Sequence, residues 1–463
     1  MSSSLVDELI EILGPAAVSA GTSVNPDDVH DESLSAHPGI PLAVIRPRSS
    51  EEVARAMRCC AEHATPVIAR GSGTGLSGAA EARDGCVVMA FDAMRTIKEI
   101  DLDNHVAVVE PGVTLAELAA VLDGTGLYYP VHPGERTGSL GGNVSTNAGG
   151  MRAVRDGVTR HHVLGLELVL ADGSVLRTGG KLVKLSTGYD LTQLVVGSEG
   201  TLALVTEIIV KLSPRPSHGA TLLAPFASLD EVTRAVPHLI ATGLAPAVLE
   251  YLDQITMSTV TAAAGLELGI PESVTAAAQA YLVIVVETTG ADRLDEDVGA
   301  MAQELDRHGA IETYVLPERS GAALIEARER AFYVSKAHGA TDLIDVVVPR
   351  AAVADFLADV RGIAARRDSL VVGCGHVGDG NVHLSVYETQ AQARHELMDE
   401  IFRTGLAHGG ALSGEHGVGT AKIDAYRSLS DPLQLRLEAG IKAVFDPDGL
   451  LNPARSLKRE DAG

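Results

Sequence analysis

Cysteine is scarce in this sequence. Cys59, Cys60, Cys86 and Cys374 are the four among 463 residues, and no two form a C-x-x-C pair. An iron–sulfur cluster held by this chain alone is thereby disfavoured. So few thiols read as reduced and structural, which points to the cytoplasm. Basic residues are also in deficit: 37 Lys and Arg face 61 Asp and Glu, a formal net charge of −24. Nucleic acid needs a basic face, so that class of partner is excluded. A broadly basic membrane-binding surface is excluded with it. An anionic substrate would be repelled at long range and must be met by a local arginine or lysine. No apolar run is long enough to span a bilayer. The opening MSSSLVDELIEILG carries acidic residues and is not a signal peptide. Peripheral association with a membrane is compatible with these features. Internal repeats and low-complexity tracts are missing too.

What is present is a long, globular chain. Hydrophobic residues make up 46%, and the length suggests two or three domains. The first half alternates short β-type runs with glycine-rich turns. Residues 5–13 and 51–62 read as helices, the second capped by Ser49 or Ser50. Residues 66–70, 86–91 and 105–110 read as strands, and 114–126 as a helix ended by glycine. Residues 163–179 read as a hairpin turning at Asp172-Gly173, and 207–214 as a further strand. After Ser213-Pro214-Arg215-Pro216 longer helices (228–242, 292–308) alternate with strands such as 281–287. A boundary near 217 and an α+β second domain are expected there. Residues 431–453 read as a helix followed by a turn.

Three glycine-rich segments stand out in the first half. ARGSGTGLSGAA (69–80) contains Gly73-x-Gly75-x-x-Gly78, a literal match to the dinucleotide fingerprint. That fingerprint needs a crossover helix and then a parallel strand, yet only AAEARDG separates Gly78 from the next strand. The glycines still let backbone N–H groups surround a pyrophosphate, although a tight turn between strands would use the same residues. GERTGSLGGNVSTNAGGMR (134–152) is long and polar, without helix or strand periodicity, and loops of that kind are usually functional. VVGSEGTLALVTE (195–207) runs from a glycine turn into a strand.

The second half carries two denser motifs. GCGHVGDGNVHLS (373–385) places His376 and His383 seven apart across a glycine-rich bend, and LSGEHGVGTAK (412–422) adds Glu415 and His416. His376, His383 and Glu415 form a three-ligand set suited to a divalent metal, Zn²⁺ first, with Mn²⁺ or Fe²⁺ as alternatives. Histidines satisfied by loop hydrogen bonds are the competing reading. Arg328 and Arg330 lie on an expected helix and point to different faces, so one of them should reach a given site.

In this order the segments resemble the FAD-binding domain of the vanillyl-alcohol oxidase type. They are most similar to its branch of D-lactate, glycolate and D-2-hydroxyglutarate dehydrogenases, from about Pro41 to Pro453. The resemblance implies an α+β fold: a two-subdomain FAD-binding domain (1–216, its pyrophosphate-loop subdomain about 40–100), a substrate or cap domain with the metal site (217–425), and a C-terminal segment (426–463) returning to the FAD domain. It implies that Arg70, Gly71, Ser72, Gly73, Thr74, Gly75, Leu76, Ser77 and Gly78 wrap the FAD pyrophosphate. Pro133, Gly134, Ser139, Gly142, Asn143, Thr146 and Gly149 would line the flavin and the rest of the cofactor, with Glu199, Gly200, Val205 and Asn452 as further contacts. No histidine stands in 69–80, so non-covalent FAD is expected. His376, His383 and Glu415 become the metal ligands, His416 the catalytic base, and Arg328 the clamp on the substrate carboxylate.

Three departures from that branch are visible. His132 stands where it often has aspartate, Ser385 where many relatives have a substrate-positioning asparagine, and Leu343 where the 2-hydroxyglutarate enzymes have lysine. Lys336 is not assumed to replace that lysine. The implied reaction is oxidation of a small D-2-hydroxy acid, D-lactate or glycolate before D-2-hydroxyglutarate, by metal-assisted deprotonation and hydride transfer to flavin N5. The implied electron acceptor is a quinone, a cytochrome or an electron-transfer protein, with a homodimer or partner redox subunits compatible. A flavin-dependent transferase of the ether-lipid synthase type and a metal-dependent hydrolase are the rival readings.

Overall fold

The computed structural model describes residues 4–455 and 457. The outer ends of the expected spans 1–216 and 426–463 lie outside the described residues. Helix Leu5–Leu13 opens the chain, closed by a capping box between Ser4 and Asp7. Helix Ser50–Glu62 follows, and Ser49 caps it by accepting from the Glu52 N–H. Both pack on a four-stranded sheet in the order Val18–Ala20, Ala43–Ile45, Val87–Ala90, Val67–Arg70. Val87–Ala90 runs parallel to both of its neighbours.

That pairing refines the reading of the first glycine loop. No helix forms between Val67–Arg70 and Val87–Ala90, as the short spacing requires. The next strand is parallel all the same, and residues 71–86 make the crossover as an irregular loop.

A five-stranded antiparallel sheet comes next, in the order Ile97–Asp101, Val106–Val109, Leu204–Lys211, Val163–Val169, Val175–Gly179. The 163–179 hairpin forms as expected. Helix Leu115–Leu122 packs into its core, as does a second helix that the periodicity did not indicate, Leu140–Thr146. The 134–152 segment is therefore not irregular throughout. Ser139 caps this helix by accepting from the Gly142 N–H, and Leu140 and Val144, one turn apart, bury its inner edge. Gly141 is required inside it, because a Cβ there would lie 2.6 Å from the Pro111 side chain. Seven residues with two glycines show too little period to be read as a helix.

The second half is built on a seven-stranded antiparallel sheet. Its order is Tyr314–Leu316, His218–Phe226, Ala280–Thr288, Val248–Asp253, Val371–His376, Asn381–Val386, Asp342–Val347. Helices Leu229–Ala241, Ala291–Arg307, Val353–Arg366 and Ala391–Ala407 cover one face, where Leu249, Tyr251, Ile344, Val346, Val382 and Leu384 are buried. Side chains alternate along a strand. Glu250, Asp345, Cys374, His376, His383 and Ser385 consequently leave the sheet on the opposite face. Register aligns them further: Cys374 pairs with His383, and His383 with Asp345.

After helix Pro432–Phe445 the chain returns to the first sheet. Leu451 bridges to Val67 in parallel, and Leu450 and Leu451 join that sheet's core.

An ionic cluster ties the two halves. Arg152 grips Glu287 with two guanidinium nitrogens at 3.0 and 2.6 Å, and Arg155 adds a third bond of 2.9 Å. Burial works to raise the Glu287 carboxyl, but hydrogen bonds and charge from Arg152 and Arg155 hold it below the usual range. Its stabilisation is therefore complete above the ordinary glutamate pKa and lost as pH falls through the lowered one. Glu287→Gln should destabilise the protein by roughly 2 kcal/mol at neutral pH. In thermal or urea denaturation the gap to wild type should narrow as pH drops below about 4; a gap independent of pH would refute the ionic account.

Candidate active site

Two adjoining cavities lie between the glycine-rich loops and the polar face of the seven-stranded sheet. The larger, about 1420 Å³ with its open mouth included, is lined by the 70–76 loop, by residues between 133 and 149, and by 199–205. The smaller, about 650 Å³, is lined by Arg328, His376, His383, Ser385 and Leu343. Pro133, Gly134, Glu415 and His416 line both.

Most residues expected to hold the cofactor line the larger cavity: Arg70 to Leu76, Pro133, Gly134, Ser139, Gly142, Asn143, Thr146, Gly149, Glu199, Gly200 and Val205. Ser77, Gly78 and Asn452 do not line it. The Ser77 hydroxyl donates to the Gly417 carbonyl. Gly78 abuts Thr420, whose Oγ1 would lie 2.2 Å from a Cβ at that position. The Asn452 amide donates to the carbonyls of Ala79 and Glu199 at 2.8 and 2.9 Å. Asn452 thereby braces two residues of the cavity wall. Glu199 also turns its carboxylate away from the lumen, accepting from the Gly419 N–H at 2.9 Å and pairing with Arg455.

The wall fits a large polar cofactor. A Cβ on Gly71 would come within 2.4 Å of Ser139 Oγ, and one on Gly149 within 2.7 Å of Glu415 Oε2. Side chains at either place would thicken the wall where the loops converge. The Asn143 amide nitrogen is buried on this wall with no protein partner, a donor suited to a ligand acceptor. Sequence reasoning missed Asp31, Phe332 and Tyr333, which also line the cavity. Burial pushes the Asp31 carboxyl up to about 6.

In the smaller cavity His376 Nε2 and His383 Nε2 each lie 3.2 Å from Glu415 Oε1. Ligands about 2 Å from a tetrahedral ion stand roughly this far apart. The surroundings fit a cation as well. Glu250, Glu415, Asp345 and Asp379 bring more carboxylate charge than Arg328 and Lys422 neutralise. Burial pushes the Asp379 carboxyl to about 7, with Glu415 adding to the rise and His376 opposing it. Burial opposes charge on His376, yet Glu250 and Glu415 hold its imidazole well above the usual range.

His416 stacks on His383, with ring centroids 4.8 Å apart, and its Nδ1 lies 3.7 Å from Asp345 Oδ2. Burial, reinforced by the charges of His383 and Lys422, lowers the His416 imidazole to about 4. The ring is therefore neutral at physiological pH and can accept a proton.

Arg328 is buried near the end of helix Glu318–Glu329, whereas Arg330, at the helix terminus, is exposed. The different faces expected of the two arginines are thus resolved in favour of Arg328. Its Nη2 lies 2.8 Å from Glu250 Oε2. Lys336 pairs instead with Glu32 at 2.6 Å, away from Leu343. His132, the unexplained departure, lies 2.6 Å from Glu329 Oε1.

Sequence patterns of two families match the chain: a "FAD binding domain" over residues 41–179 and "FAD linked oxidases, C-terminal domain" over residues 215–455. An uncharacterized FAD-linked oxidoreductase of Mycobacterium tuberculosis is 51% identical over 96% of both chains. Glycolate oxidase subunit GlcD of Bacillus subtilis is 36% identical, covering 98% of this chain and 97% of its own. A D-lactate dehydrogenase of Anaerostipes hadrus is 33% identical, covering 97% and 96%. Among solved structures, p-cresol methylhydroxylase with substrate bound superposes with a TM-score of 0.83 at 18% identity, over 98% of this chain and 96% of that one. That likeness speaks for the fold alone. Family patterns and relatives agree: the chain belongs to the FAD-linked oxidases, with the fold of p-cresol methylhydroxylase, and is an FAD-dependent oxidoreductase.

Proposed function

We propose that this enzyme oxidises a small D-2-hydroxy monocarboxylate, D-lactate or glycolate, to the 2-oxo acid. The observation that carries this reading is the convergence of Arg328, the His376–His383–Glu415 set and His416 on a cavity that adjoins the glycine-lined one. FAD, held without a covalent bond by the 70–76 and 133–149 loops, would supply a two-electron acceptor, and a divalent ion on His376, His383 and Glu415 would supply positive charge beside the substrate hydroxyl.

The residues divide the remaining work. Arg328, which lines the smaller cavity, binds the carboxylate. His416 takes the hydroxyl proton, because it is neutral and lines both cavities. Ser385 and Leu343 line the cavity as well. Arg328 is the one arginine or lysine among its described lining residues. One cation and an apolar Leu343 favour a single carboxylate over the two of 2-hydroxyglutarate.

Anaerobic mixing with D- and L-lactate, glycolate and D-2-hydroxyglutarate tests the reading directly. Bleaching of the flavin absorbance should be fastest with D-lactate or glycolate. No bleaching by any of the four would sink it, and the alternative of a transferase of the ether-lipid synthase type would gain. His383→Ala, or stripping with a chelator, should slow that bleaching by at least about a hundredfold with flavin still bound; unchanged rates would remove the metal from the reaction. The pH profile of bleaching should be flat in the base-dependent limb from pH 8 to 6, falling only as pH approaches about 4, where His416 takes up its proton. A fall centred near 6.5 would mean that His416 is not so buried a base.

A further inference from the structure

Glu250 is fully excluded from water in the middle of strand Val248–Asp253. Its neighbours Leu249 and Tyr251 face the helix-covered core, so its carboxylate emerges on the face of the smaller cavity. It does not line either cavity. Instead it stands behind two groups that do. Oε1 lies 2.5 Å from His376 Nδ1, and Oε2 lies 2.8 Å from Arg328 Nη2.

The chemistry of that position is restrictive. An ionised carboxylate can only accept, so Nδ1 of His376 carries the hydrogen. That leaves Nε2, 3.2 Å from Glu415, to act as the ligand nitrogen. On Arg328 the same carboxylate supplies counter-charge at Nη2. A buried acid is costly, and an apolar residue would serve mere packing more cheaply. We propose that Glu250 is a positioning residue that couples the two halves of the site, fixing the tautomer of the His376 imidazole and the direction of the Arg328 guanidinium through one carboxylate. The proposal rests on the function proposed above.

Glu250→Gln tests it, because an amide of the same size offers one acceptor and one donor in place of two acceptors. Two quantities should move together. Zn²⁺ affinity of the flavin-loaded, metal-stripped protein, read by competition with a chromophoric chelator, should weaken about 10–100-fold. The half-saturating concentration of D-lactate, or of whichever acid of the panel reduces the flavin fastest, should rise about tenfold when measured at saturating Zn²⁺. Arg328→Lys should move the second quantity and leave Zn²⁺ affinity within about twofold. If Glu250→Gln moves only one quantity, or neither, the coupling is overturned while the proposed function stands. If wild type binds Zn²⁺ no better than His383→Ala, the metal reading fails and this proposal fails with it. Should Glu250→Gln not retain flavin, Glu250→Asp provides the second arm. It keeps the charge but is one methylene shorter, and smaller shifts of both quantities in the same directions are expected. Wild-type values of both would overturn the proposal.

Discussion

The carboxylate of Asp345 has no exposure to water, and a lone negative charge in such a place would be costly. The protein surrounds it with donors and cations. Asn381 donates to Oδ1 at 3.0 Å, while the Ser413 hydroxyl and the His416 N–H donate to Oδ2 at 2.5 and 2.9 Å. The Glu415 N–H and the Lys422 ammonium reach Oδ2 at 3.3 and 3.4 Å. Burial works to raise this carboxyl, but His416 once protonated at acid pH, Lys422 and His383 hold it well below the usual range. Meeting the needs of one anion thus shapes the whole 412–422 loop. Consecutive N–H groups turn inward at Glu415 and His416, and both side chains line the cavities. Gly414 is required beside it, since a Cβ would fall 2.2 Å from Asn381 Nδ2.

The same economy appears in the sheet beneath. Alternation along four adjacent strands gives one face to helices and the other to chemistry, so a single element supplies both core and site. Ile344 and Val346 secure the strand that carries Asp345, and Val382 and Leu384 do so for His383. Strands held by a packed core position side chains more tightly than loops can. The flavin-side wall is made differently, from turns whose glycines allow close approach of backbone segments. Glu199, with φ of 51°, joins the two systems, because its carboxylate anchors Gly419 in the loop that carries His416. A non-glycine residue in the left-handed region is strained, and here the surrounding bonds hold it.

Much of this was legible in the chain itself. Capped helices and apolar strands carried local signals strong enough to place them within a few residues, and the glycine-rich segments and the His-Glu pairs announced chemistry by composition. Three features were not legible, for physical reasons. Helix Leu140–Thr146 is too short and too rich in glycine to show a period. The parallel pairing of Val67–Arg70 with Val87–Ala90 is a long-range fact, and a crossover without a helix leaves no local trace. Glu250 and Asp345 sit in the largely apolar runs VLEYLD and LIDVVV, where an acid between apolar neighbours was the available signal. Reading it needs the knowledge that the strand has a second, functional face, and that comes only from the register.

The charge balance then takes on a different meaning at the site than over the whole chain. A net charge of −24 repels anions at a distance, and the cavity's own surplus of buried acid continues that sign inward. An anionic substrate can be accepted there only if positive charge is concentrated where it docks. Under the proposed function Arg328 would answer part of that need at the carboxylate end. Asp379 and His376 are both pushed towards holding a proton. A divalent ion on His376, His383 and Glu415 would relieve that pressure and release those protons. On this argument the acid surplus is not a barrier to a hydroxy acid substrate. Under the proposed function it would make cation and substrate depend on each other, with Glu250 placed between the groups that would hold them.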